Sequence, residues 1–127
     1  MAAARLLVLG GRTLDWALEA SAVLRMVAPE EWTGVKVSVE ETLGDAFVGE
    51  GTRRVIVMAA DSGVGLEVSG RMSTRDGEVV PLPVELGWVD TPFQGVELAA
   101  GRSALIVDAA RLVKLMQMVR TSKEGNE

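Results

Sequence analysis

Three closely spaced carboxylate pairs, Asp15/Glu19, Glu30/Glu31 and Glu40/Glu41, come nearest to acid–base chemistry in this 127-residue chain. Two carboxylates flanking a bond can serve as acid and base or as acid and nucleophile, provided that they converge in a cleft. These pairs fall near turns or on solvent-facing positions, where acidic side chains are ordinarily solvated surface. Histidine, cysteine and tyrosine are all absent. The commonest general base and the thiolate metal ligands are therefore missing, and no disulfide framework can form. Gly63-Val-Gly65 lacks the third glycine and the following helix of a dinucleotide fingerprint, and no Gly-Lys-Ser/Thr phosphate loop occurs. A hairpin turn is the simpler reading of that stretch. The expectation is a protein without turnover, cofactor or metal, with a carboxylate-pair hydrolase as one alternative.

Aromatic and sulfur chemistry is sparse. Trp16, Trp32 and Trp88 could cage a cation or stack on bases, but three isolated tryptophans among two phenylalanines serve more simply as core or rim. A small-ligand-binding β-barrel is the second alternative, and it requires an enclosed apolar cavity of roughly several hundred Å³ lined by those tryptophans. Met116 is expected to fill core and Met118 to be exposed, with a methionine-lined partner groove as the functional counterpart. A net charge of −5 argues against nucleic acid, whose binding relies on clustered Lys and Arg facing phosphates. A protein partner is the expectation.

The elements that must position these residues are short and strand-rich. At 48% hydrophobic content the chain suits one domain, over residues 1–120, and residues 121–127 are expected to be a disordered tail. Fourteen scattered glycines and four prolines read as turn punctuation. No apolar stretch nears the ~20 residues that span a bilayer, and residues 1–10 lack a signal-peptide pattern. A cytoplasmic protein without membrane insertion is expected.

Residues 5–9 and 13–18, around Gly10-Gly11, read as a β-hairpin. Residues 19–27 read as one helical turn running into a strand. Val35, Val37 and Val39 alternate with Lys36, Ser38 and Glu40 as in a half-buried strand, and residues 41–47 suit a turn of helix. Residues 54–60 suit a central strand, Asp61-Ser-Gly63 a tight turn, and residues 64–72 its partner strand. Arg75-Asp-Gly77 is expected to turn before residues 79–82, where Pro81 and Pro83 impose an edge or loop. After a loop over residues 88–92, residues 94–98 and 103–107 form a hairpin around residues 99–102. Asp108 stands as N-cap of an amphipathic helix with Ala109, Leu112, Val113, Met116 and Val119 on one face.

The order of blocks carries further information. Arg5-Leu-Leu-Val-Leu-Gly-Gly-Arg-Thr-Leu14 is followed by Trp16-Ala-Leu-Glu-Ala-Ser-Ala-Val-Leu-Arg25, then by Arg54-Val-Ile-Val-Met58 and Val64-Gly-Leu-Glu-Val-Ser-Gly70. Pro81-Leu-Pro83, Phe93-Gln-Gly-Val96 and Ala104-Leu-Ile-Val-Asp-Ala-Ala-Arg-Leu112 complete the series. In this order they resemble the CheW family over nearly the whole chain. The resemblance implies a mainly β fold of two intertwined small five-stranded β-barrels with a C-terminal helix and a groove between the barrels. In that family the groove receives a chemoreceptor's helical-hairpin tip, and another surface contacts the regulatory domain of a CheA-type histidine kinase. Carried over to this sequence, the positions beside the groove are Leu24, Val37, Val68 and Arg71, with plain core as the alternative for the three apolar ones.

Departures from the family pattern are specific. The stretch from Trp32 to Glu40 is shorter and lacks an Asn-Leu-Arg-Gly element, and Ser69 and Arg71 replace the aspartate and second valine of a Val-Asp-x-Val block. These imply altered groove specificity and a divergent member, comparable to the small second CheW-like proteins of gliding-bacterium chemosensory systems. The first barrel's kinase-facing surface is expected to be reduced and kinase binding weak or absent.

Overall fold

The computed structural model describes residues 2–81, 92–98 and 103–125. Strands β1 (Ala2–Leu9) and β2 (Asp15–Glu19) form the expected antiparallel hairpin, with Leu9 opposite Trp16. The other edge of β2 pairs in parallel with a late strand, Ala104–Val107, so β2 has no edge left for its successor. The chain therefore leaves through a single 3-10 turn, Ala20–Ala22, into β3 (Val23–Val27), as the sequence suggested. After a second such turn at Pro29–Glu31 come β4 (Val35–Ser38), the short helix α1 (Val39–Thr42), β5 (Arg53–Met58) and β6 (Asp61–Ser69). Strands β7 (Met72–Pro81) and β8 (Phe93–Leu98) return the chain to its start, and β9 (Ala104–Val107) leads into α2 (Ala109–Gly125).

Two bodies result, in keeping with the mainly β class expected. One is a closed barrel in the order β1-β2-β9-β8-β7, and the other is a four-stranded sheet in the order β3-β5-β6-β4. Among the described residues the second body thus has four strands where the resemblance implied five. Its β4 is cut short by a capping box: the Ser38 hydroxyl accepts from the Glu41 N–H at 3.1 Å, and the Glu41 carboxylate accepts from the Ser38 N–H at 3.0 Å. Helix α2 packs against β4, β6 and α1. Of the shortened stretch from Trp32 to Glu40, Val35–Ser38 forms the sheet strand β4 and Val39 and Glu40 open α1.

Alternation along β1, β2 and β9 sorts apolar side chains into two cores. Leu6, Val8, Ala17, Ala104 and Ile106 point into the barrel. Their neighbours Leu7, Leu9, Trp16, Leu18 and Val107 point the other way, where they meet Val37, Ile56, Met58, Leu66 and Val68 of the sheet and Leu112, Val113 and Met116 of α2. Barrel and sheet share this second core, so neither presents its larger apolar face to water. Asp108 caps α2 as expected, accepting from the Arg111 N–H at 3.1 Å. The helix passes the expected end at Arg120 and continues to Gly125, through five of the seven residues read as a disordered tail, and the Thr121 hydroxyl donates to the Gln117 carbonyl.

Two expected turns and one expected strand are placed differently. The β5–β6 hairpin turns at Ala59-Ala60, with Met58 opposite Asp61. Asp61 instead ties that hairpin down, accepting from the Gly63 N–H at 3.0 Å and from Gln117 of α2 at 3.1 Å. Residues 64–72 do not form one strand, because the chain bends at Gly70 between β6 and β7. Arg75-Asp-Gly77 lies inside β7, in register with β1, rather than at a turn. Of the expected loop over residues 88–92 all but Pro92 lies outside the described residues, as do the turn at residues 99–102 and Pro83.

Candidate functional site

The junction between the two bodies is built from bare backbone. At Gly70 φ is +120°, a conformation that side-chain-bearing residues avoid. A Cβ at Gly70 or Gly49 would also collide with the Gly10 carbonyl. The Gly10 N–H donates to the Arg71 carbonyl at 2.9 Å, Gly49 N–H to Ser69 at 3.1 Å, Gly70 N–H to Thr52 at 3.2 Å and Arg12 N–H to Val48 at 2.9 Å. These bonds tie together the barrel's first loop, the segment before β5 and the chain between β6 and β7. Main-chain contacts, rather than long side chains, thus set the spacing of the two walls.

Beside this junction lies a groove of about 800 Å³. Its barrel wall includes Val8, Asp15, Ser73 and Arg75. Ser73 and Arg75 lie opposite Val8 and Leu6, and Asp15 is two residues from Ala17, so all share the inward face and the groove opens over one end of the barrel. The sheet wall supplies Met26 and Arg54, diagonal neighbours across the β3–β5 pair. Arg71 and Met72 lie where the walls meet.

Arg75 organises the barrel end. Its Nε donates to Glu97 Oε2 at 2.8 Å and its Nη2 donates to the other carboxylate oxygen. Glu97 is 2% exposed, whereas the Arg75 side chain is 42% exposed towards the groove. The hydrogen bond to Glu97 raises the Arg75 pKa above its already high ordinary value, burial opposes this, and the charges of Glu97 and Asp15 add to it. Gly77 faces the pair, and a Cβ there would sit 2.8 Å from Glu97 Oε2.

The residues read from sequence are distributed unevenly over this site. Arg71 is exposed and lines the groove. Leu24 is 55% exposed on β3, two residues from the groove-lining Met26. Val37 and Val68 are buried in the shared core, so their side chains face no partner. Met26, Arg54, Arg75 and Glu97 were not singled out. Exposed Met26, spaced by two from Leu24, was the one local signal available. The pairing of Arg75 with Glu97 spans 22 positions and leaves no local trace.

Other candidates disperse. Trp16 is buried in the shared core, and Trp32 covers Gly65 on the sheet and donates to the Val35 carbonyl at 3.0 Å. Trp88 lies outside the described residues. Met116 is buried and Met118 exposed, as expected, but the methionines of the groove are Met26 and Met72. Glu19, Glu30, Glu31, Glu40 and Glu41 are exposed, and only Asp15 of those pairs reaches the groove. Among the described residues no group of three or more acidic, histidine or cysteine side chains is arranged to hold a metal ion, and no helix is long and apolar enough to cross a membrane.

No protein-family model matches the chain, and no curated protein matches it. A solved structure that does is the scaffolding protein TtCheW from Thermoanaerobacter tengcongensis. It is 12% identical, with a TM-score of 0.63 over 84% of this chain and 85% of that one. The likeness lies in the fold, and the chain has a CheW-like fold.

Proposed function

We propose that this chain is a non-enzymatic adaptor of a bacterial chemosensory array, which holds a chemoreceptor's helical signalling tip in the groove between barrel and sheet. The observation that carries this reading is the groove itself, whose walls come from two bodies welded at Gly10, Gly49 and Gly70. A preformed groove with apolar Met26 and Met72 and cationic Arg54 and Arg71 suits an amphipathic helix, which needs a few apolar anchors and a charged rim. The CheW-like fold supports the same assignment, and the absence of His and Cys fits a protein that joins partners without chemistry.

The reading extends to a reduced member of the family, similar to FrzB of gliding bacteria, working in the cytoplasm at receptor arrays. Link-up with a CheA-type histidine kinase is weakened, because β4 ends after four residues and the surface beyond it is turned into α1. Neither alternative gains comparable support. The barrel interior is filled by Leu6, Val8 and Ile106, which leaves no enclosed tryptophan-lined cavity among the described residues. Glu97, the buried acid nearest the groove, has both oxygens engaged by Arg75 and no room for acid–base work.

Titration of the purified chain, separately, with a receptor signalling fragment and with the kinase regulatory domain tests the reading. The expected outcome is micromolar or tighter binding of the receptor fragment and at least tenfold weaker binding of the kinase domain, about 1.4 kcal/mol apart. Equal affinity for both would restore an ordinary coupling role, and no binding to the receptor fragment would overturn the proposal.

A further inference from the structure

The end of the barrel that opens into the groove holds one guanidinium in a fixed orientation. Arg75 engages Glu97 through Nε and Nη2, and neither bond uses Nη1. Glu97 is 2% exposed and bound through both oxygens, and β7 carries no side chain at Gly77, where a Cβ would press on Glu97. A carboxylate buried inside the barrel is costly to desolvate, and replacing such a pair by apolar residues of similar volume is often neutral or stabilising. Stability alone therefore does not account for the pair. What it does supply is a guanidinium that cannot turn away from the groove.

The surroundings point to a ligand class. Arg71 and Arg54 line the same groove, so three arginines stand there with one lining carboxylate, Asp15, and with Glu97 buried beneath Arg75, on a chain whose net charge is −5. Met26 and Met72 flank them with apolar surface. A guanidinium fork matches the two oxygens of a carboxylate, and such charge-assisted bonds carry geometric specificity. We propose that the barrel mouth is a carboxylate-binding subsite, in which Arg75, oriented by Glu97, and Arg71 receive an acidic side chain from the helical partner. The proposal rests on the groove reading above. Glu97 is a positioning residue in it.

A double-mutant cycle tests the subsite with two receptor signalling hairpins, one carrying glutamates at the tip and one with glutamine at the same positions. Arg71→Gln is expected to weaken binding of the acidic hairpin about tenfold and of the neutral hairpin less than twofold, the scale of one charge-assisted bond. Equal losses with both hairpins would overturn the subsite while leaving the groove reading intact. Glu97→Gln, or Arg75→Lys if that variant does not fold, is expected to shrink the preference for the acidic hairpin, and an unchanged preference would overturn the positioning role. Should the unaltered chain bind neither hairpin, the groove reading fails, and a separate titration decides the subsite. Hexaglutamate, but not hexaglutamine, is then expected to shift the arginine side-chain NMR signals of Arg71 and Arg75 saturably, and no shift would overturn it.

Discussion

The barrel and the sheet bury similar kinds of residues but treat their margins differently. The barrel closes on itself, and the Arg75–Glu97 pair that it carries is joined at two atoms. The sheet ends at β3, whose three central residues are all exposed, and Leu24 and Met26 there are two of the four large apolar side chains exposed among the described residues. Closure removes unpaired edge groups, whereas an open edge keeps apolar side chains available. The closed body thus leaves no unpaired strand edge, and the open body keeps Leu24 and Met26 exposed on its edge strand, where Met26 lines the groove.

Breaking the shared core should erase that difference with the largest effect. Trp16→Ala is expected to cost about 4 kcal/mol, in the range for large-to-small changes at fully buried aromatic positions, and to unfold barrel and sheet in one urea transition. Two separate transitions would show instead that the bodies fold independently. Removing the barrel's internal partner comes next. Arg75→Ala leaves Glu97 buried without its cation and is expected to cost about 2 kcal/mol, discounted from the range for buried pairs because Arg75 is partly exposed. The double variant Arg75→Met/Glu97→Leu should recover that loss in full in the same urea assay.

How far these features were legible in the sequence depended on range. The β1–β2 hairpin, the central β5 and the Asp108-capped helix each rest on neighbours in sequence, where period and capping speak directly. The valine alternation at Val35, Val37 and Val39 continued across a capping box, and the box at Ser38 and Glu41 ended the strand first. Arg75-Asp-Gly77 has turn composition, yet Gly77 makes room for Glu97, twenty positions later in the chain, so nothing nearby could reveal its purpose. The groove was harder still. Its walls come from β1, β2, β3, β5 and β7, and Val37 and Val68, with the same residue type as the half-buried strand valines Val23 and Val35, turned inward onto the shared core.

Smaller effects sharpen the contrast from the sheet's side. Leu24→Ser on β3 should change stability by no more than about 0.5 kcal/mol, since it is largely solvated already. A cost above about 2 kcal/mol would mean that this edge is a structural margin. The smallest effect concerns Asp61. Its carboxyl is held below the ordinary 3.8, first by the bond from Gln117, then by the Gly63 N–H and Arg120, with burial opposing. Because the folded value is the lower one, the unfolded chain takes up the proton first as pH falls. The contribution is therefore present above pH 3.8 and fades as pH drops through the folded value. Amide exchange at the Ala59-Ala60 turn should rise in that window, beyond the intrinsic pH trend, and Asp61→Asn should remove the added rise.

The groove is tested most directly by two exposed methionines at different places. Met26 lines the groove, and Met118 lies on the outer face of α2. With a receptor signalling hairpin as titrant, Met26→Asp, verified as folded, is expected to weaken binding about tenfold or more, the equivalent of about 1.4 kcal/mol. Met118→Asp is expected to bind as the unaltered chain does. Undiminished binding by Met26→Asp, or an equal loss from Met118→Asp, would contradict a docking site between barrel and sheet.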